Sequence, residues 1–373
     1  MSNDLTPFQI DIPDGDLADL RRRLAHTRWP DAETVDDWSQ GTPLLYLQDL
    51  CDRWLTDYDW RRTQDRLNAL PQWRTRIDGA GVHFAHIRSP HPGALPLLVT
   101  HGWPGTFAEF EDIVEPLTRP ADPADAFDLV CPSLPGFGFS DRPTRTGYGV
   151  ERIAALWAEL MARLGYERYA AHGGDFGSFV SAHLGASDPE HLAGIHLTMP
   201  FAPAPAEPVE LDERDLAGLA ALTEFGRAET GYSAIQSTKP QTLAYALTDS
   251  PAGQLAWIAE KYYGWSNHGG SPEKAIPQDR LLDAASIYWL TGTAASSARL
   301  YWESHNKVAM LPVDVPTGCS LFPGDARMPE PWCRGRFRDL RRWRDLDTGG
   351  HFPAVECPDV LVGELREFFR PLR

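Results

Sequence analysis

The sequence predicts a doubly wound, mostly parallel α/β sheet with an inserted helical cap and a helical arm ahead of it. Three observations carry this. Short apolar runs at 97–100, 127–131, 169–172 and 193–197 alternate with amphipathic stretches, the pattern of strands covered by helices on both faces. The run at 169–172 enters Gly173-Gly174-Asp175-Phe176-Gly177 and then the small-residue stretch 178–184, which reads as strand, sharp turn and helix. From Met199 to 307 the alternation stops and the chain becomes helical and proline-punctuated.

Residues 1–75 are expected to form the arm. Asp14 or Asp16 can cap a helix through Leu17, Leu20 and Leu24, stopped at Trp29-Pro30, and two more amphipathic helices follow at 43–55 and 60–70. Each has one apolar face and little neighbour to cover it, so the arm must pack on the rest of the chain. Residues 73–77 and 82–87 around Gly79-Ala80-Gly81 read as a hairpin. The sheet proper is expected over 76–198 and again over 308–373. Pro96 sits at the start of the strand 97–100, and a helix follows at 107–117. The strand 127–131 ends in the turn-rich loop 132–140, and the helix 151–164 leads to the central strand. The cap, 199–307, should contain helices at 212–230, 242–247, 253–263 and 280–298. Strands at 317–322 and 340–346 and a helix at 360–369 close the domain.

Composition narrows the function classes. At 373 residues the chain can bury a large core as one elaborated domain or two. A formal net charge of −17 weighs against nucleic acid or an anionic membrane as partner. No apolar run approaches ~20 residues, and the first residues lack the basic start and apolar core of a signal peptide. Cys51, Cys131, Cys319, Cys333 and Cys357 are scattered, with neither metal-ligand spacing nor a disulfide pattern. A reducing, cytoplasmic location without metal or cofactor is therefore expected.

Small residues flanking a central functional residue are the layout of the nucleophile elbow of α/β-hydrolases, where the centre is ordinarily Ser. Here it is Asp175. A carboxylate attacking an acyl carbon would give an anhydride. A carboxylate displacing a leaving group from saturated carbon gives an ester that water can cleave. Asp175 thus points to carbon–oxygen or carbon–halogen cleavage, against the plain alternative of an Asp in a glycine-rich turn. Hydrolysis of such an ester needs a base. His351, in Gly349-Gly350-His351-Phe352-Pro353 after the last strand, is placed for it, whereas His305 lies in the cap. The orienting acid should follow the preceding strand, which selects Asp325 over Asp345 and Asp347. The backbone N–H groups of Phe176 and of Trp103, in His101-Gly102-Trp103-Pro104-Gly105, are the candidate oxyanion donors.

With these residues placed, nearly the whole chain resembles the microsomal-type epoxide hydrolases in their soluble bacterial form. The markers are Arg21-Arg22-Arg23-Leu24 and Thr27-Arg28-Trp29-Pro30 of the arm, His101 to Gly105, Leu134 to Ser140, the Asp175 elbow, Gly231-Tyr232-Ser233 with Gln236 to Pro240, Tyr288 to Gly292, and Gly349 to Phe352. The resemblance implies conversion of a small hydrophobic epoxide and water to a vicinal diol. It implies that Tyr232 and Tyr301 donate to the epoxide oxygen and that Asp325 occupies the acid position, where some members carry Glu. Phenols suit that task, because the alkoxide of an opened ring is far more basic than a phenolate of pKa ~10. The chain departs from the family at Phe176, where Trp is usual, and no membrane anchor like that of the animal enzymes is expected. A haloalkane dehalogenase, which has no use for two cap tyrosines, and a catalytically silent binding protein are the rival expectations. Homo-oligomerisation is left open.

Overall fold

The computed structural model describes residues 5–270, 272–305 and 307–373. Nine strands form one sheet: β1 (Thr6–Phe8), β2 (Gln72–Ile77), β3 (Ala80–Ile87), β4 (Leu95–Thr100), β5 (Phe127–Pro132), β6 (Tyr169–Gly173), β7 (Leu192–Leu197), β8 (Thr317–Leu321) and β9 (Leu340–Asp345). Their order is β1-β2-β3-β5-β4-β6-β7-β8-β9, and every pairing from β5 to β9 is parallel. This is the α/β-hydrolase sheet, with β6 near its centre. The central strands β6, β7 and β8 are buried along their whole length, as expected of strands covered by helices on both faces. Helices Val150–Arg163 and Phe176–Ser187 bury one face; Glu111–Thr118 and Pro358–Phe369 bury the other.

The arm is less purely helical than expected. Its helices, Asp14–Ala25, Leu44–Thr56 and Trp60–Asn68, are present, but it also supplies β1. That strand pairs antiparallel with β2 (Thr6 opposite Arg74), so the expected boundary at 75/76 falls inside a strand. Neither Asp14 nor Asp16 caps the first helix. Pro13 holds the cap position with no side-chain bond, and the Asp14 carboxylate instead accepts from Arg61 at 2.5 Å. Both acids still favour the positive end of that helix.

The arm lies across the helices Pro251–Trp265 and Gln278–Thr291. Trp54 donates to Ser286 at 2.9 Å, Thr42 to the Ala256 carbonyl at 3.0 Å, Tyr58 to Asp283 at 2.8 Å and Arg53 to Asp279 at 2.8 Å. Asp283, nearly inaccessible, also takes Thr63 and Arg66. The expected single helix at 280–298 is two, Gln278–Thr291 and Ala294–Ser304, because Gly292 adopts φ 62° and ends the first in a left-handed turn. A helix absent from the sequence reading, Gly231–Thr238, follows Glu213–Ala228. Among the described residues no helix is long and apolar enough to cross a membrane.

Candidate active site

The elbow between β6 and the helix Phe176–Ser187 forces its central residue out of the ordinary backbone regions. Asp175 has φ 48° and ψ −128°, a conformation side chains rarely adopt. It holds because both flanks are bare. A Cβ on Gly173 would overlap the Gly177 backbone, and one on Gly177 would overlap the Thr100 carbonyl of β4. A Cβ on Gly102 would overlap the Asp175 carboxylate itself. The Trp103 N–H donates to Asp175 Oδ1 at 2.9 Å, and the adjoining Phe176 N–H also favours the charged carboxylate. Burial raises the Asp175 pKa, while His351 and these two amides oppose that rise.

His351 arrives from the loop after β9. Its backbone N–H donates to the Trp265 carbonyl at 2.9 Å and its ring packs on the Trp265 indole at 4.8 Å. Glu356 ties the loop by accepting from the Phe352 and Asn267 N–H groups. His351 Nδ1 meets Asp325 Oδ1 at 3.0 Å, and Nε2 lies 3.8 Å from Asp175 Oδ2, beyond hydrogen-bond range. Burial pulls the imidazole pKa down, but the carboxylates of Asp325, Asp175 and Glu109 prevail and raise it to about 9. Asp345, one sequence rival of Asp325, pairs with Arg327 and Arg214 instead.

Tyr232, on Gly231–Thr238, and Tyr301, on Ala294–Ser304, converge from separate helices. Tyr301 donates towards the Tyr232 hydroxyl at 3.5 Å. The Tyr232 ring stacks on Trp103 at 5.1 Å, and Phe176 meets Tyr301 edge-on at 4.8 Å. Burial raises both phenol pKa values; the Asp175 charge adds to this. All five side chains line one cavity of about 550 Å³, otherwise walled mainly by Phe176, Phe179, Phe201, Leu222, Phe225 and Trp265. His305, set aside as a base, lies on its wall. A second, small recess of about 20 Å³ lies at Asp175 and His351, bordered by Glu109, His172 and Thr198 and by Phe110, Phe352 and Leu361, a volume suited to a water molecule.

Residues 5–110 match the family described as epoxide hydrolase N terminus, and residues 96–240 match the alpha/beta hydrolase fold family. A Stigmatella aurantiaca protein named as an epoxide hydrolase is 49% identical over 99% of this chain and 86% of its own length. Epoxide hydrolase 1 of Sus scrofa is 33% identical over 98% and 88%. The chain belongs to the epoxide hydrolase family. The solved epoxide hydrolase of Aspergillus niger superposes with a TM-score of 0.91 at 32% identity, covering 99% of this chain and 97% of that one. A juvenile hormone epoxide hydrolase of the silkworm Bombyx mori gives 0.93 at 29% identity, over 100% and 95%.

The structure of this epoxide hydrolase adds a residue the sequence reading passed over. Glu109 stands on the short helical turn Phe107–Phe110, its carboxyl packed against Gly105 and beside the small recess. Burial raises its pKa to about 8; His351 opposes the rise and Asp175 adds to it. Its place in the chain beyond His101 carries no spacing signal, because the side chain must fold back against Gly105 to reach the site.

Proposed function

We propose that the enzyme opens a small hydrophobic epoxide to a vicinal diol in two steps on Asp175. In the first, a carboxylate oxygen of Asp175 attacks a ring carbon and the carbon–oxygen bond breaks. The leaving oxygen takes a proton from the Tyr232–Tyr301 pair, and the product is an alkyl ester of Asp175. In the second, His351 Nε2 removes a proton from water and the hydroxide adds to the Asp175 carboxyl carbon. The Trp103 and Phe176 N–H groups hold the oxyanion that forms there. Collapse releases the diol and restores Asp175, and the proton on His351 returns to the phenolate. One water is consumed and no cofactor is needed.

The observation that carries this reading is the pairing of an elbow aspartate with two phenols across one apolar cavity. A halide leaving group would have no use for two proton donors, which disfavours the dehalogenase. The electrostatics suit the order of steps. In the free enzyme Asp175 is one of the charges that raise His351; its esterification removes that charge and eases His351 towards the neutral base the second step requires. On this reading 199–307 acts as a cap that brings the phenols over a core of 76–198 and 308–373, with 1–75 as its strap. The five free cysteines fit a reducing cytoplasm.

The test is a trap. His351→Gln should still be alkylated, because Asp175 attacks without it, but should not turn over. Intact-mass spectrometry with excess styrene oxide should show protein heavier by one epoxide, on the peptide containing Asp175. A folded, substrate-binding variant without adduct overturns the covalent route. Bromide release from a bromoalkane by the native enzyme would favour the dehalogenase instead.

A further inference from the structure

Of the chain's lysines, Lys261 alone is buried, its side chain only 2% exposed. Taking an ammonium out of water is costly unless it is paired. Lys261, on the helix Pro251–Trp265, pairs with Glu260 and lies 3.5 Å from Glu229 Oε2 and 3.4 Å from the Glu229 carbonyl. Both carboxylates are substantially solvated, at 33% and 41% exposure. The ammonium itself faces inward, 4.6 Å from the centroid of the Tyr232 ring and 5.7 Å from that of Trp265. It does not line the substrate cavity.

We propose that Lys261 is a positioning residue that makes Tyr232, of the two phenols, the one that gives up its proton to the epoxide oxygen. A cation over an aromatic face is attracted by the ring's negative quadrupole. That attraction strengthens when the phenol becomes a phenolate, whose ring carries part of the new charge. The ammonium therefore favours the state reached as the ring opens. Tyr301 has no such neighbour among the cation–ring contacts of the described residues. Its hydroxyl points to the Tyr232 oxygen at 3.5 Å, where it can hold the phenolate by hydrogen bonding. The groups facing Tyr232 agree with this division. Burial, Asp175, Asp325 and Glu229 all oppose its ionisation, while the Tyr301 hydroxyl assists it; Lys261 is the cation set against that negative surround.

The inference rests on the two-phenol reading above, and the experiment separates the two. Single-turnover alkylation and ester hydrolysis are timed separately for the native enzyme, Lys261→Met, Lys261→Arg, Tyr232→Phe and the double variant Lys261→Met/Tyr232→Phe. Lys261→Met should slow alkylation roughly 3- to 30-fold, the rate equivalent of one cation–π contact, and leave ester hydrolysis unchanged. Lys261→Arg should recover most of the loss. In the Tyr232→Phe background Lys261→Met should have no further effect on alkylation. Styrene oxides with electron-withdrawing rings, which form a less basic alkoxide, should be less sensitive to Lys261→Met. A loss shared equally by both steps, or one that persists without the Tyr232 hydroxyl, would make Lys261 a mere strut between helices and overturn the proposal. If Tyr232→Phe leaves alkylation unchanged, Tyr232 is not the donor and the proposal falls; if Tyr301→Phe does so too, the two-phenol reading falls with it. If Tyr232→Phe is slow but Lys261→Met is not, only the role of Lys261 is refuted.

Discussion

Replacing His351 by Gln should change how the stability of this protein depends on pH. In the native state the imidazole pKa stands at about 9 against 6.5 for an ordinary histidine, burial being outweighed by Asp325, Asp175 and Glu109. At 1.36 kcal/mol per tenfold, that gap corresponds to about 3 kcal/mol. The side chain is only 8% exposed, so solvent screening takes little from it. Because the folded pKa lies above the unfolded one, the whole contribution is present below 6.5 and is lost as pH rises through about 9. Glutamine keeps a similar polar shape but never carries the charge. Urea unfolding of both proteins across this range should therefore show a gap of about 3 kcal/mol near pH 6 that shrinks almost to nothing near pH 10. A gap of constant size would mean that His351 stabilises by packing alone. The electrostatic account of the His351–Asp175–Asp325 cluster would then be wrong.

Tyr232→Phe and Tyr301→Phe should each slow alkylation by the equivalent of about 1–3 kcal/mol, and the double change should nearly abolish it; unchanged burst rates in both single variants would return these residues to simple cavity wall. Asp175→Asn should be inactive yet melt higher than the native protein, because burial disfavours the Asp175 charge and the neutral amide escapes that penalty; a lower melting temperature would contradict this. In heavy-oxygen water, one turnover with enzyme in excess should give largely unlabelled diol, since the new oxygen comes from Asp175; full labelling at once would show direct attack by water. Gly177→Ala should cost about 3 kcal/mol or more, seen as a fall in melting temperature, because its Cβ would overlap the Thr100 carbonyl.

Much of the candidate site's geometry was legible because its parts sit at points the chain marks locally. Glycines at 173 and 177 announce a crowded turn, and His351 is the histidine in the loop after the last strand. Asp325 could be chosen by strand order alone, and its 3.0 Å contact with His351 follows from β8 and β9 being neighbours. The tyrosines needed the family resemblance, since nothing in their own surroundings separates them from core aromatics. What escaped depended on distant partners. β1 is three residues long and contains Pro7, so only the waiting edge of β2 makes it a strand. Gly292 breaks a helix that otherwise reads straight through, and Gly231 opens one although glycine more often ends them. Glu109, folded in against the small recess, and Lys261, buried beside Tyr232, hold places that no local pattern announces.

The arm's attachment has a consequence for how the enclosed site can admit a molecule. It ties down the helices Pro251–Trp265 and Gln278–Thr291, and Asp283 alone gathers Tyr58, Thr63 and Arg66. Glu213–Ala228, on the far wall, fully buries only Asp215 and Gly218 and is held by the Arg327 and Arg214 ion pairs and by the partly buried Leu222 and Phe225. The roof over the cavity is thus fastened along one edge and loosely latched along the other, and thermal opening should swing from the latched side. Amide hydrogen exchange would read this directly as a gradient of protection. The strapped helices should exchange only with global unfolding, and Glu213–Ala228 should exchange through cheaper local openings that also set the rate at which bulky substrates enter.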